Sequence, residues 1–232
     1  MTAKTAHLTA ASFAFLRGLA ANNDKAWFEA HRADYEQHVK APLAELILDV
    51  TAAMTASGLP LEGEAKRSVF RINRDTRFSK DKSPYKTSAA AAWYRQGSGK
   101  DGAGVLYFHL GARGCFVAAA FYNPESEALD AIRERIRVHP DRWQATLDAL
   151  ASAGTGLEMY DSLTRMPKGF EDMKGSPVAD GLKLRSFVVR HGLAESVVTG
   201  PGLVAAIIDV ARAALPILQF GWAAIDEAVA GR

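Results

Sequence analysis

Along the first sixty residues the apolar positions recur every three or four. Phe13, Leu16 and Leu19 share one face behind Thr9 and Ser12, either of which can cap a helix, and Asn22-Asn23-Asp24 ends that helix and starts the next. From Asp24 onward Phe28, Tyr35, Val39, Leu43, Leu46, Ile47, Val50 and Met54 hold one face until Gly58-Leu59-Pro60. Pro42 interrupts this run. Its ring has no N–H to donate and clashes with the carbonyl four residues back, so the pattern predicts a break or kink near Lys40.

The period then shortens. Residues 67–73, 88–95, 103–111 and 114–121 are short, rich in Val, Phe, Tyr and small side chains, and separated by Gly-containing turns, which predicts strands of an antiparallel sheet. Gly111-Ala112-Arg113-Gly114 makes the last pair a hairpin. Asn123-Pro124 predicts a cap with proline at the first helical position, ahead of Leu129, Ile132 and Ile136 on one helix face. Another helix starts at Pro140 and uses Trp143, Leu147 and Leu150. Beyond a loop-rich stretch from Gly154 to Gly181, residues 182–190 alternate as a further strand, and a helix from Pro201 to Val229 closes the chain. Without internal repeats or low-complexity linkers, the reading is a single α+β domain over residues 1–232, an antiparallel sheet packed by N-terminal and C-terminal helices.

Composition adds exclusions. A chain of 232 residues with 48% hydrophobic and 23% charged side chains is that of a folded protein with a sizeable core. Cys115 is the only cysteine, so an intramolecular disulfide and a Cys-based zinc site are excluded, as expected for a reducing compartment. The N-terminus has no continuous apolar core of signal-peptide type. Leu203 to Ile225, the most apolar stretch, is interrupted by Asp209, Arg212, Pro216 and Gln219, which argues for a buried helix rather than a membrane span. A cytoplasmic protein without a membrane partner is expected.

The net charge of +2 conceals a separation. Lys66, Arg67, Arg71, Arg74, Arg77, Lys80, Lys82 and Lys86 face only Asp75 and Asp81 between positions 66 and 86, which gives that segment +6 and leaves the remainder at −4. A basic segment on an acidic body concentrates positive field in one place.

Several familiar patterns carry no function. Gly97, Gly99 and Gly102 spell a dinucleotide-type G-x-G-x-x-G, but they fall between two predicted strands instead of opening a helix onto a pyrophosphate. Ser79-x-x-Lys82 and Ser83-x-x-Lys86 match an acyl-transfer motif that needs a helix start, whereas Ser83-Pro84 imposes an extended backbone. His31, Asp34 and His38 share a helix face with no third ligand at matching spacing, so no metal is expected. Cys115 sits in a strand as a packed small residue.

The basic segment is directional. In a strand, Phe70 and Ile72 anchor one face in the core while Arg67, Val69 and Arg71 point to the other. If the chain stays extended beyond Ser83-Pro84, Lys80, Lys82, Pro84 and Lys86 project to one side about 6–7 Å apart, close to the spacing of successive phosphates. Arginine supplies a planar fork for an oxyanion and lysine a point charge. The expected site is therefore a groove with Arg71, Arg74 and Arg77 clamping an anion, Lys80, Lys82 and Lys86 neutralising flanking charge, and Tyr85 or Trp27 giving a stacking face near Asn23. Lys168 and Arg185 are expected nearby. The acid/base candidates are Asp75 and Asp81, suited to phosphoryl or nucleotidyl chemistry. The structural alternative uses the same residues as a clasp, the arginines held by Asp75, Asp81 and helix glutamates.

The stretches FLRGLAANNDKAWFEAHRADYEQHVKAPL (15–43), RINRDTRFSKDKSPYKT (71–87), FYNPESEALDAIRERI (121–136), PKGF (167–170) and LKLRSF (182–187) together resemble domain of unknown function 2461, an uncharacterised bacterial and fungal family. The resemblance runs in order over nearly the whole chain. It implies a stand-alone domain and no particular reaction. Its signature positions correspond here to Asn22, Asn23, Trp27, Phe28, Arg74, Asp75, Arg77, Phe78, Lys80, Lys82, Pro84, Tyr85 and Lys86. Similar proteins tend to have glycines where this chain has Val117-Ala118-Ala119-Ala120.

Three functions are carried forward: binding of a phosphate-bearing or other anionic small molecule, binding of nucleic acid by the same cations, and a non-enzymatic scaffold with an Arg/Asp clasp. None calls for a cofactor.

Overall fold

In the computed structural model, which describes residues 7–99, 102–159 and 161–231, the N-terminal region is helical as the apolar spacing predicts. Part of the N-terminal stretch read for targeting, residues 1–6, lies outside the described residues. Thr9 opens α1 (Ala10–Ala21) with a reciprocal capping box, in which Ser12 Oγ accepts from the Thr9 amide at 3.0 Å. Asp24 caps α2 (Lys25–Ala30) by accepting from the Trp27 amide at 2.9 Å. The junction at Asn22-Asn23-Asp24 is thus where the sequence places it.

Pro42 does not break the helical run. A π turn, Glu36–Lys40, links α3 (Arg32–Tyr35) to α4 (Ala41–Ala56), and the Ala41 amide donates to the carbonyl of Glu36. Pro42 then occupies the first turn of α4, where a missing N–H is tolerated. The buried side chains explain the wider turn. Tyr35, Val39 and Leu43 are spaced by four and all are buried. Two steps of four overrun an α turn by about 40° each, and the π turn takes up that drift.

Five strands, β1 (Leu61–Glu62), β2 (Ser88–Arg95), β3 (Val105–Gly111), β4 (Gly114–Phe121) and β5 (Phe187–Leu193), form an antiparallel sheet in the order β1-β2-β3-β4-β5. The α+β class read from the sequence is the class observed. The helices α5 (Ser126–Val138), α6 (Pro140–Ser152), α7 (Ala179–Lys183), α8 (Glu195–Val198) and α9 (Leu203–Ala230) complete the described elements, with a 3₁₀ turn at Glu171–Met173.

Several boundaries depart from the sequence reading, and the strand expected at 103–111 begins only at Val105. Residues 67–73 form no continuous strand; they make isolated antiparallel bridges at Val69–Ala91 and Asn73–Tyr85. Pro124 precedes α5 rather than opening it, because Asn123 turns the chain with a φ of 42° first and Glu125 takes the cap position. The expected strand at 182–190 starts only at Phe187, since Leu182 and Lys183 belong to α7.

The chain divides into two compact units. The first comprises Met1–Lys100, Tyr107–Val117 and Gly192–Asp209. Its core holds Phe13, Leu16, Ile47, Trp93 and Phe108, and Trp93 Nε1 donates to the Ile47 carbonyl at 3.3 Å. The second comprises Asp101–Leu106, Ala118–His191 and Val210–Arg232. Here Trp143 packs against Phe187 and Phe220, with ring centroids 5.9 and 5.2 Å away. Arg133 is buried because its guanidinium donates to the carbonyls of Leu182 and Leu184 at 2.9 and 3.0 Å. Although α9 is long and apolar enough to cross a membrane by length and composition, half of its most apolar window is buried within the protein.

Candidate functional site

The basic segment forms a closed loop. The Arg74 amide donates to the Pro84 carbonyl at 2.9 Å and the Lys86 amide to the Ile72 carbonyl at 2.8 Å, flanking the Asn73–Tyr85 bridge. The chain bends at Lys80 and Pro84 and Lys82 Nζ turns to the Thr76 carbonyl, so Lys80, Lys82 and Lys86 do not form the regular extended row expected of them. Ile72 is buried as expected, but Phe70 is 40% exposed and does not anchor the core. Without a continuous strand at 67–73, its ring is free to lean on the surface, edge-on to Tyr107 with centroids 5.7 Å apart.

Asn23 and Tyr85 hold the base of the loop. Asn23 Nδ2 donates to the Tyr85 carbonyl at 2.9 Å, and Asn23 Oδ1 accepts from the Tyr85 amide at 3.1 Å. The Tyr85 ring is buried and stacked on Phe28 at 4.1 Å, so the stacking face expected of it is turned inward.

Within the loop, arginines and aspartates pair with each other. Arg74 bonds Asp81, and Arg77 grips Asp75 through two contacts at 3.0 and 2.7 Å. Asp81 also accepts from the Ser83 hydroxyl at 2.6 Å and the Ser83 amide at 2.9 Å. Lys82 Nζ donates to the Thr76 carbonyl at 2.9 Å. The Arg77 guanidinium and amide hold Asp75 below the usual aspartate range, while the Ser83 hydroxyl and Arg74 hold Asp81 well below it. Carboxylates fixed in their ionised form are poor proton shuttles near neutral pH. The geometry makes these two clasps of the loop.

The remaining cations differ. Arg71, Lys66 and Lys80 have no carboxylate partner among the described residues. Arg71 and Lys66 border a cleft of about 460 Å³ whose walls include Tyr35, Ala44, Val69 and Phe70. Lys40 also reaches it, but Glu36 holds its ammonium at 2.9 Å. Burial pushes the Tyr35 phenol up to about 12, with Glu36 adding to the effect, so Tyr35 is a neutral wall. Lys86 lies 5.8 Å from the Phe70 ring centroid. Partial burial, and then the charge of Arg71, push the Lys86 ammonium below the usual lysine value. Two neighbouring cations thus repel one another beside an open cleft.

Trp27 lines a different cleft. It stacks on His31 at 4.1 Å, and the pair borders a space of about 340 Å³ with Phe15, Asp34 and His38. His31 Nδ1 donates to the Trp27 carbonyl at 2.8 Å. The single groove expected near Asn23 and Trp27 is therefore two clefts, both within the first unit. Among the described residues no group of His, Cys, Asp or Glu is arranged to hold a metal. Lys168 and Arg185 belong to the second unit, where Arg185 pairs with Asp161 at 2.7 Å. Gly97 and Gly99, both at positive φ, turn the chain after β2, which accounts for them without a nucleotide.

Sequence reasoning did not single out Lys66, Tyr35 or Tyr107 for the site. Lys66 was visible as part of the charge excess, but its position on the cleft depends on the turn at 65–67.

The fold and charged cleft define an α+β protein whose basic loop is fastened by its own carboxylates. Residues 11–220 match the family described as "Conserved hypothetical protein (DUF2461)", and the chain belongs to that family. No curated protein and no solved structure matches the chain.

Proposed function

We propose that the protein binds a phosphate-bearing or similarly anionic small molecule at the mouth of the Lys66–Arg71 cleft, with Lys86 as a further cation. The observation that supports this is the juxtaposition of Arg71 and Lys86 without a carboxylate of their own. Asp75, whose ionised form Arg71 favours, is already gripped at two points by Arg77, and Glu36 on the cleft wall is held by Lys40. An anion between Arg71 and Lys86 would relieve their repulsion and form charge-assisted hydrogen bonds, which are about twice as strong as neutral ones. Arg74 and Arg77 are reassigned in this reading: they fasten the loop, and Arg71 and Lys86 meet the ligand. The clasp and the anion site then use different residues of one segment.

The test is calorimetric titration of pyrophosphate into the wild type, Arg71→Gln/Lys86→Gln and Arg74→Ala. The expected result is binding by the wild type, loss in the double variant, and a lowered melting temperature with binding retained in Arg74→Ala. Absence of pyrophosphate binding, or binding indifferent to the double substitution, sinks the proposal.

A further inference from the structure

The sheet presents a second kind of chemistry beside these cations. Alternation along β3 puts Leu106, Phe108 and Leu110 on a fully buried face, while Tyr107 on the opposite side is only half-buried. The bridge Val69–Ala91 sets Phe70 across from Ala90, and the Phe70 amide donates to the Ala90 carbonyl at 3.0 Å. Phe70 and Ala90 therefore share a face. With only a methyl group there, the Phe70 ring reaches Tyr107. Phe116 continues the row, its centroid 6.0 Å from that of Tyr107. Lys86 sits over Phe70 and Arg71 is next in the chain. An aromatic surface and a pair of cations thus adjoin each other through Phe70.

We infer that the anionic ligand is a nucleotide, free or within a single strand, whose base lies against Phe70 and Tyr107 while its phosphate meets Arg71 and Lys86. This inference rests on the anion reading and deepens it by naming the ligand class. The charge complementarity selects the occupant. A neutral aromatic would leave the cations unanswered, and a bare phosphate would leave the rings exposed; a nucleotide answers both. Base–aromatic stacking adds affinity with little dependence on base identity, because every base has a π face. Burial raises the Tyr107 phenol above its ordinary value, so near neutral pH it stays protonated and adds no negative charge facing the phosphate.

Calorimetry with ribose 5-phosphate and adenosine 5′-monophosphate separates the two levels. The wild type should bind the nucleotide about tenfold or more tightly than the sugar phosphate, within the range that one stacked base supplies. Phe70→Ala, a change at an exposed ring, and Tyr107→Leu, which retains bulk, should each erase most of that preference, and Tyr107→Leu, which leaves Lys86 in place over Phe70, should do so without weakening ribose 5-phosphate. Circular dichroism confirms that the variants fold. Equal binding of the two probes overturns the base site but leaves the anion reading standing. A preference that survives both substitutions also overturns it, since the base then lies elsewhere. If neither probe nor pyrophosphate binds, both readings fail. A deoxyadenosine oligomer of about ten nucleotides distinguishes the sources: tighter binding than the monomer, with a log–log salt slope of about −0.7 per phosphate contacted, assigns a strand, and parity assigns the free nucleotide. Either result supports the base site.

Discussion

Asn23 grips Tyr85 at both of its backbone polar atoms, donating to the carbonyl at 2.9 Å and accepting from the amide at 3.1 Å. One side-chain amide therefore does for Tyr85 what a neighbouring strand would do. It ties the start of α2 to the base of the basic loop. Replacing Asn23 by alanine leaves both backbone groups without their partner, at a cost of roughly 1–3 kcal/mol. For a chain of this size that lowers the melting temperature by about 2–4 °C per kcal/mol. Asn23→Asp should not rescue it, because a carboxylate cannot donate to the Tyr85 carbonyl. Thermal unfolding of the two variants checks this; a wild-type melting temperature in either contradicts it.

The two arginine clasps should differ in weight. Arg74 has 26% of its side chain exposed and Arg77 has 77%, so water screens the second pair far more strongly. Arg74→Ala should lower the melting temperature measurably more than Arg77→Ala. A larger effect at Arg77 would reverse the assignment.

Acid should act on the loop through Asp81. Its folded-state value is depressed from an ordinary 3.8 by the Ser83 hydroxyl and Arg74. The contribution to stability is therefore complete above the ordinary aspartate value and is lost as pH falls through the depressed one. Asp81→Asn should flatten the acid limb of melting temperature against pH. An unchanged limb would show that Asp81 is not a source of the acid sensitivity.

Lys86 carries the opposite sign of charge and a different window. Its folded value lies below the ordinary 10.5, owing first to burial and then to Arg71. Between the depressed value and 10.5 the unfolded chain binds more protons, so this group makes stability rise with pH there. Anion affinity should run the other way and fall as Lys86 discharges, earlier than for an ordinary lysine. By linkage, adding pyrophosphate should raise the Lys86 value in an NMR titration, and Arg71→Gln should raise it without ligand.

Gly221 tests packing in the second unit. A Cβ there would stand 2.3 Å from Phe121 Cζ, closer than side chains approach one another. Helix propensity alone favours alanine over glycine by about 1 kcal/mol. The contact should win because Phe121 is fully buried and is bounded from the other side by Gly104, whose own Cβ would lie 2.4 Å from the same ring. Gly221→Ala is expected to destabilise, and a stabilised variant in thermal unfolding would show that the ring can move.

Much of the helical and sheet plan was legible because it follows from periodicity. Phe13, Leu16 and Leu19, and the series from Phe28 to Met54, mark their faces without help from distant residues. The positions of α1, α4, β2, β4 and α9 follow closely. Residues 67–73 misled because alternation there serves two isolated bridges, and whether bridges extend into a strand is decided by a partner far along the chain. The candidate site was legible as composition but not as geometry. The sequence shows eight cations and two carboxylates, yet only loop closure determines that Asp75 takes Arg77 and Asp81 takes Arg74, leaving Arg71 at the cleft and Lys86 over Phe70, one of its walls. Tyr107 stayed hidden because its neighbours on the surface come from Phe70 and Phe116, 37 and 9 positions away.

The wide turn at Glu36–Lys40 holds one residue more than an α-helix would need there. Excising exposed Gln37 would leave steps of three and four between Tyr35, Val39 and Leu43, the ordinary α spacing, so the helix would close and the buried stripe would keep its facing. The same excision inside α4 would find no such slack. Without exposed Glu45, Leu46, Ile47, Val50 and Met54 would turn together by about 100° away from the interior they now fill. The turn is thus spare chain length stored within a helix, and a one-residue deletion that is mild at Gln37 would be grave two turns later.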